Sequence, residues 1–381
     1  MLLFLLACSG PAADSKAPAD SETDSTDSPV DSETDTDTDT DTDSDTDSDT
    51  DSDTDADTDS DADADPWNVE VVDPIETAYT ALAIDSSGGP VIAYQDTSGV
   101  NEELKFATRV RGYWETELVD DNILSGAFVD LGIAADGSFV MSYSAFGDLT
   151  FTYGTVGAWS TEAIRPGARG PTSVLPDGAG DWIFADTDSI GGFEVVQRDG
   201  TYDVIEGSSS GAISQGQMRL SPTGVRHVAF EDGDFYEVEY GSYDGTDWQL
   251  QVVEELGATV ALAMDGENPV LAYHMWLDGE LHVARWNGVD FDITTVATDV
   301  GSLITGISVA VDDQGRTQVA WHSLSKKAVF WAIEDQGSWT VEEVEEIGRG
   351  EGYPDLALFG SRPSISYSAE GELHMATRQE P

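Results

Sequence analysis

From Val260 to Ile293 the chain alternates apolar with polar or small residues in four short runs, each closed by turn residues. Val260, Leu262 and Met264 alternate with Ala261 and Ala263, Asp265–Asn268 has turn composition, and Pro269–Tyr273 runs apolar. Leu281, Val283 and Arg285 then alternate with His282 and Ala284. Asn287–Gly288 signals a hairpin, and a last strand opens at Phe291. A period of two, broken by Gly, Asn and Asp, predicts four antiparallel strands joined by tight turns.

The same unit recurs along the chain. Its third strand is marked by Leu104, Leu149, Phe193, Tyr236, Leu281, Val329 and Leu373, at intervals of 45, 44, 43, 45, 48 and 44 residues. An aromatic opens the fourth strand at Trp114, Trp159, Tyr202, Trp248, Phe291 and Trp339. A glycine just ahead of each (Gly112, Gly157, Gly200, Gly245, Gly288, Gly337) suits the positive φ of a hairpin turn. A four-stranded unit cannot bury both faces alone, so a repeat near 45 residues predicts units stacked around an axis.

The seventh unit lacks a fourth strand, because the chain stops eight residues after Leu373. Trp67–Asp73 (WNVEVVD) resembles the fourth strands YWETELVD and SWTVEEVE and has no third strand before it. Pairing it with Leu373–Thr377 closes the ring and hides two sheet edges. The predicted fold is all-β: a seven-bladed β-propeller over residues 67–381, whose 315 residues divide into seven units of 45.

Ahead of it the character changes. Residues 1–8 (MLLFLLAC) read as a short lipoprotein signal in which Leu5–Leu6–Ala7–Cys8 forms a lipobox and Cys8 takes the lipid. The apolar run is short for such a signal, so either the signal is abbreviated or translation starts upstream. Cys8 is the single cysteine, which excludes an intramolecular disulfide. No run reaches the ~18 apolar residues of a spanning helix, so membrane attachment is expected through lipid alone.

Residues 9–66 carry 21 Asp and 2 Glu against Lys16, a net of −22. With no apolar surface to bury and strong self-repulsion, this segment is expected to be a disordered stalk reaching up to roughly 190 Å at ~3.3 Å per residue. Its Asp oxygens could collect Ca²⁺ weakly, although it lacks the glycine turns that wrap a loop round one ion. Of the total charge of −59, −37 remains on residues 67–381. That balance excludes nucleic-acid partners, which require basic patches, and anionic membrane surfaces. The chain is expected to be monomeric and extracytoplasmic, lipid-anchored at a bacterial outer membrane or cell surface.

In propellers, binding sites gather at the axial end where second strands run into loops. The second strands here end in Tyr94, Tyr143, Phe184, Phe230, Tyr273, Trp321 and Tyr367, which read as packing between blades. The polar or exposed residues beside these ends are the candidate ligand-binding set: Gln95, Asp96, Asp186, Glu231, Asp232, His274, Trp276 and His322. His274 and His322 hold equivalent places in adjacent blades. With the neighbouring carboxylates they could hold a divalent metal at the axial mouth or exchange protons. No resident cofactor is expected. His282 and His374 lie inside third strands and read as structural. Asp85, Asp136, Asp177, Asp265 and Asp313 read as caps of first-hairpin turns.

Units such as LAIDSSGGPVIAY, ELKFA and YWETELVD resemble those of secreted bacterial propellers of the sialidase-like and lectin-like kind. SYDGTDW (Ser242–Trp248) approaches the sialidase Asp-box but is one residue short, and no arginine triad or Tyr/Glu nucleophile pair is legible. The resemblance implies a recognition module for a glycan or protein ligand. The alternative it implies is a carbohydrate-active hydrolase or lyase, which would require two carboxylates about 5–9.5 Å apart. The absence of a catalytic motif favours the non-enzymatic reading.

Overall fold

The computed structural model describes residues 65–176, 181–188, 191–206, 216–233, 235–301, 304–348 and 352–379. The expected signal with Cys8 and the acidic stretch to residue 64 lie outside the described residues, as does Asp177. The rest forms seven four-stranded antiparallel sheets. Blades 1–6 run in chain order over residues 77–120, 127–166, 173–206, 216–255, 257–297 and 304–346. The first strand of each blade packs against the first strands of its neighbours, which sets these strands around a common axis.

Blade 7 is composite. Its inner three strands are Gly352–Phe359, Arg362–Ala369 and Glu372–Arg378, and its outermost is Trp67–Asp73. The register runs from Trp67 opposite Arg378 to Asp73 opposite Leu373, as the orphan-strand argument expects.

Second strands such as Pro90–Asp96 are buried on both faces, whereas outermost strands such as Tyr113–Asp120 are mainly exposed. That gradient follows from stacking, because each blade face meets another blade and only the outer edge meets water. The buried apolar residues accordingly divide into seven clusters, one per seam between blades. The six turn glycines all have positive φ.

The register corrects four readings of the sequence. In blade 4 the residue equivalent to Leu104 and Leu281 is Val238, opposite Glu231, and not the exposed Tyr236. In blade 3 the equivalent of Tyr143 is Asp186, opposite Glu194, and not Phe184. The blade 6 turn is capped by Asp312, whose Oδ1 accepts from the Gln314 and Arg316 amides, rather than by Asp313. Asp265 ends a strand and pairs with Arg285 at 2.7 Å instead of capping a turn. Asp85 and Asp136 cap their turns as expected.

Candidate functional site

Five innermost strands carry a bulge at the same end, with register shifts at Ala78/Thr80, Ala127/Asp130, Ala258/Ala261, Ile304/Ile307 and Gly352/Asp355. A bulge adds an unpaired residue and re-aims its side chain. In blades 1, 2, 5 and 7 that residue is Tyr79, Phe128, Thr259 and Tyr353, with φ of +35°, +57°, +52° and +51°. Left-handed backbone at aromatic and β-branched residues is unfavourable, and it persists here because the ring of strands fixes it.

These residues line an axial cavity of about 170 Å³. Three aromatics form an arc on one side. Tyr353 and Tyr79 have ring centroids 4.5 Å apart, and Tyr79 and Phe128 are again 4.5 Å apart. Burial, and then the adjacent Tyr353, push the Tyr79 phenol well above its usual range, so it stays a neutral hydroxyl. Thr80, Thr172, Thr259 and Thr305 bring hydroxyl groups to the lining.

Asp130, Arg219 and Asp355 line both this cavity and a second one of about 350 Å³, so they form the partition between the two. The two carboxylates, with Gln217, also tie the inner strands together. Asp355 Oδ2 accepts from the Leu82 amide at 2.7 Å, and its Oδ1 accepts from Ser308 Oγ at 2.8 Å. Asp130 Oδ2 accepts from the Val174 amide at 2.8 Å. Gln217 Oε1 accepts from the Leu262 amide at 2.9 Å. Burial raises the Asp355 carboxyl, and nearby Asp130 adds to this, while the amide, the serine and Arg219 oppose it. Arg219 donates to the Met218 carbonyl and to Gln217 and forms no ion pair among the described residues.

The candidates read from the sequence stand behind this cavity rather than in it. Glu231 Oε2 accepts from the Thr259 amide at 3.1 Å, and His322 Nδ1 lies 2.6 Å from Thr305 Oγ1. Both therefore support residues of the lining. Gln95 is buried and donates to the Ser125 carbonyl and Glu102. Asp96 is buried and pairs with Lys105 at 2.8 Å. His274 is buried with Nε2 2.8 Å from the Gly301 carbonyl. His274 meets the blade 5–6 link at Gly301, whereas His322 meets Thr305 in the first strand of blade 6, so the two rings engage different groups. Burial lowers the pKa of both, His322 to about 4, so both are neutral at pH 7.

Asp186 is fully buried in its strand, facing Arg165. Trp276 is exposed and sits 5.7 Å from the Tyr236 ring. Asp232 joins Glu237 and Glu239 in the one three-carboxylate group of metal-binding size among the described residues, and none of the three lines the axial cavity. His282 and His374 pair with Glu254 and Glu345, as structural residues do.

Sequence reasoning missed Tyr79, Phe128, Tyr353, Asp130, Arg219 and Asp355. A faint signal exists: FVDL (Phe128–Leu131) and YPDL (Tyr353–Leu356) repeat an aromatic, one residue, Asp and Leu, and YTAL (Tyr79–Leu82) repeats all but the Asp.

These features define a seven-bladed β-propeller with an axial, aromatic-lined cavity. No family model matches the chain, and no curated protein does. Among solved structures it is similar to an α-L-arabinanase of Penicillium chrysogenum complexed with arabinobiose. The identity is 10%, the match covers 82% of this chain and 98% of that one, and the TM-score is 0.52. YCF48 of Cyanidioschyzon merolae is similar at 13% identity, covering 81% and 98%, with a TM-score of 0.51. The Aleuria aurantia lectin in complex with α-methyl-L-fucoside is similar at 13% identity, covering 79% and 92%, with a TM-score of 0.50. At these identities the likeness is one of fold.

Proposed function

We propose that this propeller is a recognition module whose axial mouth takes one sugar-sized group of a glycan. The observation that carries this reading is the Tyr353–Tyr79–Phe128 arc at the mouth of the cavity. Aromatic faces receive the C–H face of a sugar ring, while hydroxyl and carboxylate groups beside them fix its rim. A cavity of 170 Å³ is of the size that holds one small ring, roughly 150 Å³ sufficing for benzene. A concave cavity of this kind takes one small group, unlike the broad surface of ~800 Å² on each side that a protein partner covers. Sugar-bound complexes of the arabinanase and the lectin, propellers of similar fold, are compatible with a glycan ligand.

Binding is preferred over hydrolysis because Asp355, one of the two carboxylates in the partition, has both oxygens engaged by amides and Ser308. A hydrolytic reading would rest on Asp130 with Asp355. Turnover of a chromogenic glycoside that disappears in Asp130→Asn would favour it.

The test is a glycan array followed by calorimetry on the best hit. Tyr79→Gly and Tyr353→Gly remove the rings while suiting the positive φ. Each is expected to weaken binding at least about tenfold, a change of ~1.4 kcal/mol. Tyr113→Ala, on an exposed outermost strand, should bind like the parent. Full affinity in both glycine variants with unchanged circular dichroism would remove the site from the mouth. The lipobox at Cys8 and the acidic segment after it support a lipid-anchored module held away from its membrane.

A further inference from the structure

A second feature lies on the rim of blades 4 and 5, apart from the axial cavity. Phe235, Tyr236, Leu256, Trp276 and Leu277 are all exposed there, by 68%, 49%, 41%, 39% and 58%. The register makes them neighbours. Tyr236 and Leu256 each lie one residue beyond the Glu237–Glu255 pair, and Leu256 and Trp276 each lie one residue beyond the Gly257–Met275 pair. The Tyr236 and Trp276 rings close the group at 5.7 Å, tilted by 40°. Leu256 alone links the two blades, and both it and Tyr236 have positive φ, +65° and +57°. Five contiguous apolar side chains facing water make a patch that isolated surface residues do not.

The stretches that carry these residues are of one sign. The stretches 235–239, 254–256 and 276–282 contain Glu237, Glu239, Glu254, Glu255, Asp278 and Glu280 and no Lys or Arg. Glu255 and Asp278 are exposed beside the aromatics. A second copy of the chain would bring the same acidic border against itself, which disfavours self-association through this face. A partner with positive charge and apolar side chains gains on both counts, from burial of the patch and from cations over Trp276 and Tyr236.

We propose that the rim of blades 4 and 5 docks a basic, amphipathic segment of a partner protein, with Trp276 and Tyr236 as its anchors. Arginine is the residue best suited to it, since its planar guanidinium stacks on an aromatic ring while hydrogen-bonding a carboxylate.

The test uses the full chain and a synthetic peptide of alternating Arg and Leu, with a citrulline-for-Arg peptide beside it, by calorimetry at low and high salt. The Arg peptide is expected to bind and the citrulline peptide to bind at least about tenfold more weakly. In a Tyr236→Gly/Trp276→Ala double variant the Arg peptide should lose about tenfold or more, with net charge unchanged. Phe146→Ala, which removes an exposed aromatic from blade 2, should leave binding as it was. Equal affinity in the double variant, or an equal loss in Phe146→Ala, would mean diffuse attraction to an acidic chain and would overturn the proposal. So would equal binding of the citrulline peptide.

Discussion

The hydroxyl of Tyr367 donates a 2.7 Å hydrogen bond to Oε2 of Glu345 across the seam between blades 6 and 7. Three other seams repeat it, with Tyr94 on Asp73, Tyr143 on Asp120 and Tyr273 on Glu254. In every case a second-strand tyrosine meets a carboxylate on the preceding blade's outermost strand. Third-strand residues bring a side-chain nitrogen to three of these acids: Lys105 to Asp73, His282 to Glu254 and His374 to Glu345. Between blades 2 and 3 the polarity is inverted. The outermost strand supplies Arg165, opposite Leu149 where the other acids stand, and Asp186 and Glu194 replace the tyrosine and its third-strand neighbour.

This inversion makes Arg165 the one cation facing two buried carboxylates among the described residues. Arg165→Met should therefore destabilise far more than Tyr367→Phe. Removing one partner of a buried charge group costs about 3–5 kcal/mol, against ~1–3 kcal/mol for an acceptor left short of one neutral donor. Urea unfolding of the two variants at pH 8 checks the order. Equal losses would mean that the blade 2–3 seam does not depend on its arginine.

The same seam gives stability a pH dependence. Burial pushes Asp186 up to about 6 and Glu194 up to about 7, with Arg165 pulling both back. Their folded values lie above the unfolded ones, so the folded chain holds extra protons between about pH 4 and 7. This contribution is present at acid pH and lost as pH rises through 6–7. Burial works the other way on His322, His274 and His227, all lowered, with His322 at about 4. Their contribution is complete above about pH 6.5 and lost as pH falls toward 4. His374 is raised by Glu345 in spite of its burial and sides with the carboxylates. The two sets oppose each other in one window. Asp186→Asn should make stability climb more steeply from pH 4 to 7, and His322→Phe should flatten or reverse the climb, each by about 1–3 kcal/mol. Parallel profiles for both variants would refute the assignment.

The blades were legible because their evidence is periodic. Alternation of two within units of about 45 residues survives any single substitution. What it could not fix was register by two, because a two-residue slip leaves every side chain on its face. Tyr236 and Val238 have the same parity, so the pattern alone could not choose between them. Asp186 was misread for a related reason: a charge at the end of an apolar run looks like the start of a loop unless its partner, 21 residues earlier at Arg165, is already known. The mouth was hidden by its bulges, which break the alternation where Tyr79, Phe128 and Tyr353 turn to the axis.

The anchor is tested by partition. If Cys8 carries lipid, the protein expressed in a bacterial host with its leader enters the detergent phase and sediments with membranes. Cys8→Ser should stay in the aqueous phase with its unfolding midpoint unchanged, because the residue stands far from the propeller in sequence. Equal partition of the two proteins would end the lipoprotein reading.

Closure is tested by two truncations. Trp67 is buried with its ring edge-on to Trp331 at 5.5 Å, and its Nε1 donates to Glu342 at 3.2 Å. Val72 is also buried, and Asp73 serves Tyr94 at 2.5 Å and Lys105 at 3.7 Å. Deleting Trp67–Asp73 exposes Trp331 and Met375 and leaves the backbone of Glu372–Arg378 as an open edge. Two lost apolar side chains amount to about 1.5–3 kcal/mol each, and Tyr94 loses its acceptor for a further ~1 kcal/mol. The deletion should therefore lower stability by on the order of 5 kcal/mol and promote association through the open edge. Deleting residues 31–64 spares Asp65, whose Oδ1 accepts from the Trp67 amide at 2.9 Å, and removes no apolar side chain larger than alanine. Its midpoint should match the parent's, or rise slightly as self-repulsion falls. Calorimetric scans of the two truncations at equal concentration decide the matter. Indistinguishable midpoints would mean that Trp67–Asp73 is not the strand that closes the ring.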